Sequence, residues 1–155
     1  MKLTSKNNFL FWFSTPVVLC LLMLSNSASA QKKAPDKLLA NKTYTVELVE
    51  QGGKKAAEPE PDEINFKSDK FTSKMMKTEE QFAPSAYTAS LDSANTESKV
   101  IAFETEGKNP GGETLKWTGT ITGEDVEGTA VWTNKKGKVK REYNFTGTLK
   151  GKKKK

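Results

Sequence analysis

From residue 43 onward, apolar and polar residues alternate with a period of two, the pattern of half-buried strands. Tyr44, Val46 and Leu48 alternate with Thr45, Glu47 and Val49. Ile64 and Phe66 lead into Ser68-Asp69, and Phe71, Ser73 and Met75 lead out again, so INFKSDKFTSKM reads as a hairpin. AYTASL (86–91) and KVIAFETE (99–106) follow as strands around the turn DSANTE (92–97), and three more occupy 114–122, 126–133 and 138–149. The segments QGGKKAAEPEPDE (51–63), KTEEQFAPS (77–85) and GKNPGGE (107–113) read as loops, the first a mobile one rich in Gly, Pro and charge. No internal segment carries the period of a helix. About eight adjacent, hairpin-connected strands predict an all-β, antiparallel up-and-down barrel over 43–149, because closure removes the exposed sheet edges.

The segment WTGTITGEDVEGTAVW (117–132) carries the most specific pairing. Leu115, Trp117, Gly119 and Ile121 share one face of their strand, and Val126, Gly128, Ala130 and Trp132 share one face of the next. A type II′ turn places glycine first, so Gly123-Glu124 belongs at its centre. Ile121 then opposes Val126, Gly119 opposes Gly128, and Trp117 opposes Ala130; a shift by two residues would set Trp117 opposite Trp132. The final strand presents Val139, Arg141, Tyr143, Phe145, Gly147 and Leu149 to the same side. Arg141 is the exception on that apolar face. A buried guanidinium must be paired, stacked or wet, and either register sets it next to Trp132 for cation–π stacking.

Two readings of these residues stand open. Gly119, Gly128 and Gly147 either let Trp117, Trp132, Tyr143 and Phe145 lie over bare backbone, or leave a pocket lined by those rings with Ile121, Val126, Phe66, Phe71 and Met75. Arg141 either closes the barrel mouth by stacking on Trp132, or anchors the carboxylate, sulfate or phosphate head of an amphipathic ligand.

The chain ends alter the meaning of the composition. Lys2 and Lys6 precede an apolar run from Phe9 to Leu24, and Ala28-Ser29-Ala30 fits a cleavage site, so residues 1–30 predict an export signal. The run is short for a retained transmembrane anchor. Leu19 before Cys20 argues against lipidation, and Gln31 is the expected mature N-terminus. The expected address is the periplasm or the cell exterior. Residues 31–42 read as a flexible leader with at most one helical turn at Leu38 and Leu39. Of 25 basic and 19 acidic residues, residues 1–30 hold two lysines and residues 150–155 hold five, and neither segment has an acid. The body is therefore nearly neutral, which argues against a nucleic-acid-binding face. The tail KGKKKK reads as a disordered, solvated end, or as a weak contact with an anionic surface.

Candidate chemistry is sparse. The sequence has no histidine, and its single cysteine, Cys20, lies in the export signal. That excludes Ser-His-Asp and Cys-His sites and typical zinc sites. Carboxylate pairs such as Glu104 with Glu106 or Glu124 with Asp125 remain, and Asp62, Glu63 and Asp69 lack calcium-loop spacing. No enzyme activity, metal or cofactor is expected.

KWTGTITGEDVEGTAVWT, followed by EYNFTGTLK, resembles the C-terminal half of small exported bacterial proteins with lipocalin-like (calycin-type) barrels, and INFKSDKFTS resembles their early hairpin. The likeness covers about two thirds of the mature chain, though Thr43-Tyr44-Thr45 stands where true lipocalins carry Gly-x-Trp. The resemblance implies a small apolar or amphipathic ligand in the barrel, with Trp117, Ile121, Trp132, Arg141, Tyr143 and Phe145 as its contacts. The competing expectation is a solid-cored adaptor that binds a partner protein through the long loops.

Overall fold

The computed structural model describes residues 38–52, 57–91 and 99–151; the predicted export signal, residues 31–37 of the leader and the last four lysines lie outside them. Alternation becomes eight strands: β1 Lys42–Glu50, β2 Glu60–Lys67, β3 Lys70–Ser73, β4 Ser85–Leu91, β5 Val100–Lys108, β6 Thr114–Thr122, β7 Asp125–Thr133 and β8 Val139–Leu149. Each pairs antiparallel with the next, and β8 pairs with β1, so the sheet closes. The described residues form an eight-stranded, antiparallel up-and-down barrel.

Inward positions follow the period of two. Tyr44, Val46 and Leu48 of β1 are buried, as are Ile64 and Phe66 of β2 and Leu115, Trp117 and Ile121 of β6. Phe66 sits among four rings, with centroids 6.2 Å from Tyr44, 5.4 Å from Phe71, 4.9 Å from Tyr87 and 5.1 Å from Phe103. All four contacts are edge-on, the arrangement favoured by the ring quadrupoles. Among the described residues, every buried apolar side chain lies between Leu39 and Phe145, within the barrel and the segments that close it.

The β6–β7 hairpin adopts the expected register: Ile121 faces Val126, Gly119 faces Gly128 and Trp117 faces Ala130. Gly123 opens its turn at φ 63°, a left-handed conformation that glycine adopts without steric cost. The β2–β3 turn has Ser68 at φ 54° and Asp69 at φ 58°, the paired left-handed residues of a type I′ turn.

Four expectations need correction. The loop predicted over 51–63 ends early, because Glu60–Glu63 already belongs to β2 and pairs with β1. Pro61 fits there because β3 stops at Ser73, opposite Ile64, and leaves that stretch without a partner on its other side. The strand predicted through Met75 stops at Ser73 and gives way to a six-residue helix, α1 Lys74–Glu79. Met75 is therefore half-buried while Met76 enters the core. The leader is also not free up to residue 42: Leu39 is fully buried, and the Asn41 N–H donates to the Phe66 carbonyl at 2.7 Å. Finally, β8 carries an irregularity. Trp132 pairs with Arg141 but Thr133 pairs with Val139, so Lys140 is an extra residue, a bulge. Val139, beyond the bulge, is exposed rather than inward; Arg141 keeps its register opposite Trp132 but is exposed because it stands at the mouth, while Tyr143 and Phe145 keep their buried places.

A buried carboxylate holds the helix at the barrel mouth. Asp62 accepts hydrogen bonds from the Ser73 hydroxyl at 2.5 Å, the Met75 N–H at 2.8 Å and the Glu63 N–H at 2.6 Å. Ser73 caps α1 by accepting from the Met76 N–H at 3.1 Å. After the helix, Gln81 at φ 59° turns the chain so that Phe82 folds under the mouth. Met76 and Phe82 close this end, and Leu39 is the buried residue of the segment entering at the other.

Candidate functional site

Strand parity decides where the loops go. In a closed up-and-down barrel, the connections after β1, β3, β5 and β7 all emerge at one end. The loops singled out from composition therefore share a rim, joined by α1 and by the β7–β8 turn at 134–138. The opposite end has the two-residue turns Ser68-Asp69 and Gly123-Glu124.

Trp132 is the centre of that rim. Its indole N–H donates to Glu113 Oε2 at 3.0 Å, and Phe82 packs edge-on at 5.3 Å. Arg141 faces this ring as its register partner and Lys140 joins it from the bulge: Lys140 Nζ lies 4.1 Å from the indole centroid and Arg141 Cζ lies 5.7 Å from it. Lys140 also donates to both oxygens of Glu113, at 3.1 and 3.2 Å, and Asn109 Nδ2 donates to Oε2 at 3.2 Å. The Lys140 hydrogen bond is the main reason the Glu113 carboxyl is held below its ordinary range. Arg141 donates to the Tyr143 hydroxyl at 3.2 Å and lies 3.9 Å from the Glu50 carboxylate. Burial pushes the Tyr143 phenol up, and the Arg141 hydrogen bond opposes that rise.

The six residues expected to contact a ligand separate into two groups. Trp117, Ile121, Trp132, Tyr143 and Phe145 are packed in the core, with Trp117 centroids 5.2 Å from Phe71 and 5.1 Å from Phe145. Arg141 lies outside the core on the rim, its side chain 44 % exposed, stacked on Trp132. Close approach of backbone explains the glycines, with rings adding to it at Gly119 and Gly128; at Gly147 a Cβ would overlap the Thr45 carbonyl and Val46 instead. A Cβ at Gly119 would stand 2.8 Å from the Phe103 ring and 2.7 Å from the Glu127 carbonyl oxygen, and one at Gly128 would overlap the Thr118 carbonyl and stand 2.7 Å from Phe145. Between Phe71, Met76, Phe82, Leu115 and Trp117 the interior retains a cavity of about 20 Å³, room for about one water. Larger concavities open outward: one of about 670 Å³ lies on the wall over Thr45, Glu47, Thr120, Glu127 and Thr146, and one of about 720 Å³ runs beside α1 over Pro61, Lys74 and Met75.

Sequence reasoning found the Trp132–Arg141 pairing but missed Glu113 and Lys140. Glu113 ends a loop recognised only by its glycines, and nothing local links it to an indole nineteen positions later. Lys140 reads as an outward position on an unbroken strand, and the bulge that sets it over the indole has no local signal. Of the paired carboxylates, Glu104 is bridged to Lys116 at 3.0 Å on the outer wall, and Glu124 and Asp125 are exposed at the β6–β7 turn. No protein family, curated protein or solved structure matches the chain.

Proposed function

We propose that this protein is an exported, non-enzymatic binding module whose solid barrel holds a loop-bearing rim against a partner protein. One observation carries the reading: ligand pockets for small molecules measure about 300–1,000 Å³, and the interior cavity here is about 20 Å³. An amphiphile with its head on Arg141 would need an apolar slot beside the tryptophans, where Phe71, Phe82 and Phe145 already pack. The rim, by contrast, offers side chains on four connections, fixed from below by Asp62 and Glu113. Scaffolds that position loops rigidly are the usual basis of surface recognition. The absence of histidine, and of cysteine outside residues 1–30, supports a role in binding rather than in hydrolysis.

The same reading places the chain among small exported bacterial proteins with lipocalin-like barrels. Its support is the WTGTITGEDVEGTAVW pattern, which forms β6 and β7, and the apolar run ahead of Ala28-Ser29-Ala30.

Site-specific photo-crosslinking in the protein's own compartment tests the proposal. A crosslinking residue at Asn109 on the rim should capture a discrete polypeptide that one at Thr120 on the wall does not. Native mass spectrometry showing a stoichiometric small molecule, with no rim-specific crosslink, would overturn the adaptor reading in favour of a carrier.

A further inference from the structure

The near-neutral body conceals an uneven distribution of charge. The β7–β8 connection and the start of β8 read Asn134-Lys-Lys-Gly-Lys-Val-Lys-Arg141, five cations within seven residues. This turn is well braced. The Gly137 N–H donates to the Asn134 carbonyl at 2.8 Å, the Asn134 N–H donates to the Lys138 carbonyl at 2.9 Å, and Gly137 takes φ 77°. The Asn134 side-chain oxygen accepts from the Lys136 and Lys138 amides at 2.9 and 3.1 Å. A type I turn with a left-handed glycine has this form, so its cations stand on a fixed tip.

Those cations divide by partner. Lys140 is engaged by Glu113 and Arg141 by Tyr143 and Glu50. Lys135, Lys136 and Lys138 are exposed and form no ion pair among the described residues. Between them and Lys140 projects Val139, 54 % exposed, one of the two large apolar side chains exposed among the described residues. An exposed apolar side chain next in sequence to lysines without ion pairs, at the end of the barrel, matches a bilayer interface, where charge is drawn to anionic headgroups and the valine reaches the acyl boundary. A single-stranded nucleic-acid site would add free aromatic groups for base stacking, and here Trp132 is buried and already stacked with Arg141. The barrel does not span the bilayer itself: its outward positions include Thr118, Glu127, Asn144 and Thr146, the reverse of a transmembrane barrel.

We infer that the β7–β8 tip, through Lys135, Lys136, Lys138 and Val139, docks the barrel end-on against an anionic phospholipid surface. The inference rests on the reading that the loop-bearing rim is the contact end, and it names one surface which that rim meets. Such docking leaves the loops after β3 and β5 to engage a protein partner beside the membrane.

Sedimentation with phosphatidylglycerol vesicles, against phosphatidylcholine controls, tests the inference using the chain from Gln31, which contains the whole barrel core. Binding should require phosphatidylglycerol and fall with salt. Each lysine beside an anionic bilayer contributes about fivefold, so Lys135→Gln, Lys136→Gln and Lys138→Gln together should weaken binding about 100-fold. Val139→Ser should weaken it severalfold with the charge unchanged. Circular dichroism confirms that these exposed variants remain folded. Three results would overturn the inference: a tip variant that binds like wild type, loss of binding on replacing Lys152–Lys155 but not the tip, or capture of duplex DNA in place of vesicles. Crosslinking at Asn109 reports on the partner protein separately, so a failed vesicle assay does not count against the adaptor reading.

Discussion

Gly119 and Gly128 face each other across β6 and β7, and the rings of Phe103 and Phe145 lie where their side chains would begin. Glycine here trades strand propensity for a close approach of aromatic and backbone. The exchange is favourable because each buried ring removes a large apolar area from water.

Gly128→Ala therefore tests the packing directly. The new methyl would meet the Thr118 carbonyl and the Gly119 Cα, both backbone atoms that cannot rotate away. The expected cost is about 3 kcal/mol, seen as a melting midpoint lower by about 10 °C. Thr118→Ala, on the outer face of the same hairpin, should stay within about 0.5 kcal/mol of wild type. Equal effects at the two positions would contradict the account.

Asp62 should be a stability residue rather than a catalytic one. Asp62→Ala leaves the Ser73 hydroxyl and the Met75 and Glu63 amides without their acceptor. A loss of about 2–4 kcal/mol is expected, together with faster amide exchange at Met75 and Met76 as α1 frays. In a double-mutant cycle with Ser73→Ala the two losses should not add, because both substitutions break the same contact. Additive losses would mean that the carboxylate does not hold the helix cap.

Tyr44 sets the alkaline limit. Its hydroxyl is buried and has no hydrogen-bond partner among the described residues, and burial pushes its pKa from 10.0 up to about 12. The protonated form is the one compatible with the fold. Stability linked to this group is thus complete below pH 10, falls as the unfolded chain ionises, and is lost as pH rises through about 12. At about 1.4 kcal/mol per pH unit the loss is roughly 2–3 kcal/mol. Tyr44→Phe should flatten that limb in pH-dependent urea titrations and stabilise the barrel at neutral pH by about 1 kcal/mol, since it removes an unsatisfied hydroxyl. An unchanged alkaline limb would show that the phenol reaches solvent.

The legible and illegible parts of this fold differ by the range of the forces involved. Alternation at Tyr44, Val46 and Leu48 is local, and so is the demand of Gly123 for a left-handed turn, so strands and hairpin register could be read directly. Pro61 argued against a strand only because the early end of β3, which frees its edge, is a tertiary event. Helix α1 spans too few residues to show a helical period, and its cap depends on Asp62, eleven positions before Ser73. At the rim, the Trp132–Arg141 pairing followed from register, but the extra residue Lys140 brought a second cation onto the indole. Clustering of the loops was implicit in strand parity. The basic tip escaped notice because a sum over residues 31–149 cancels it.

The most direct measurement of whether the barrel is solid is the emission of Trp117 alone. The chain from Gln31 has two tryptophans, Trp117 and Trp132, and Trp132→Phe leaves the one packed between Phe71 and Phe145. Titration with amphiphiles bearing carboxylate, sulfate or phosphate heads should produce no saturable change in that emission, even where lipid binds the rim. A saturable shift that disappears in Arg141→Ala would mean that the lumen opens to a ligand, and the account of a filled barrel would be wrong.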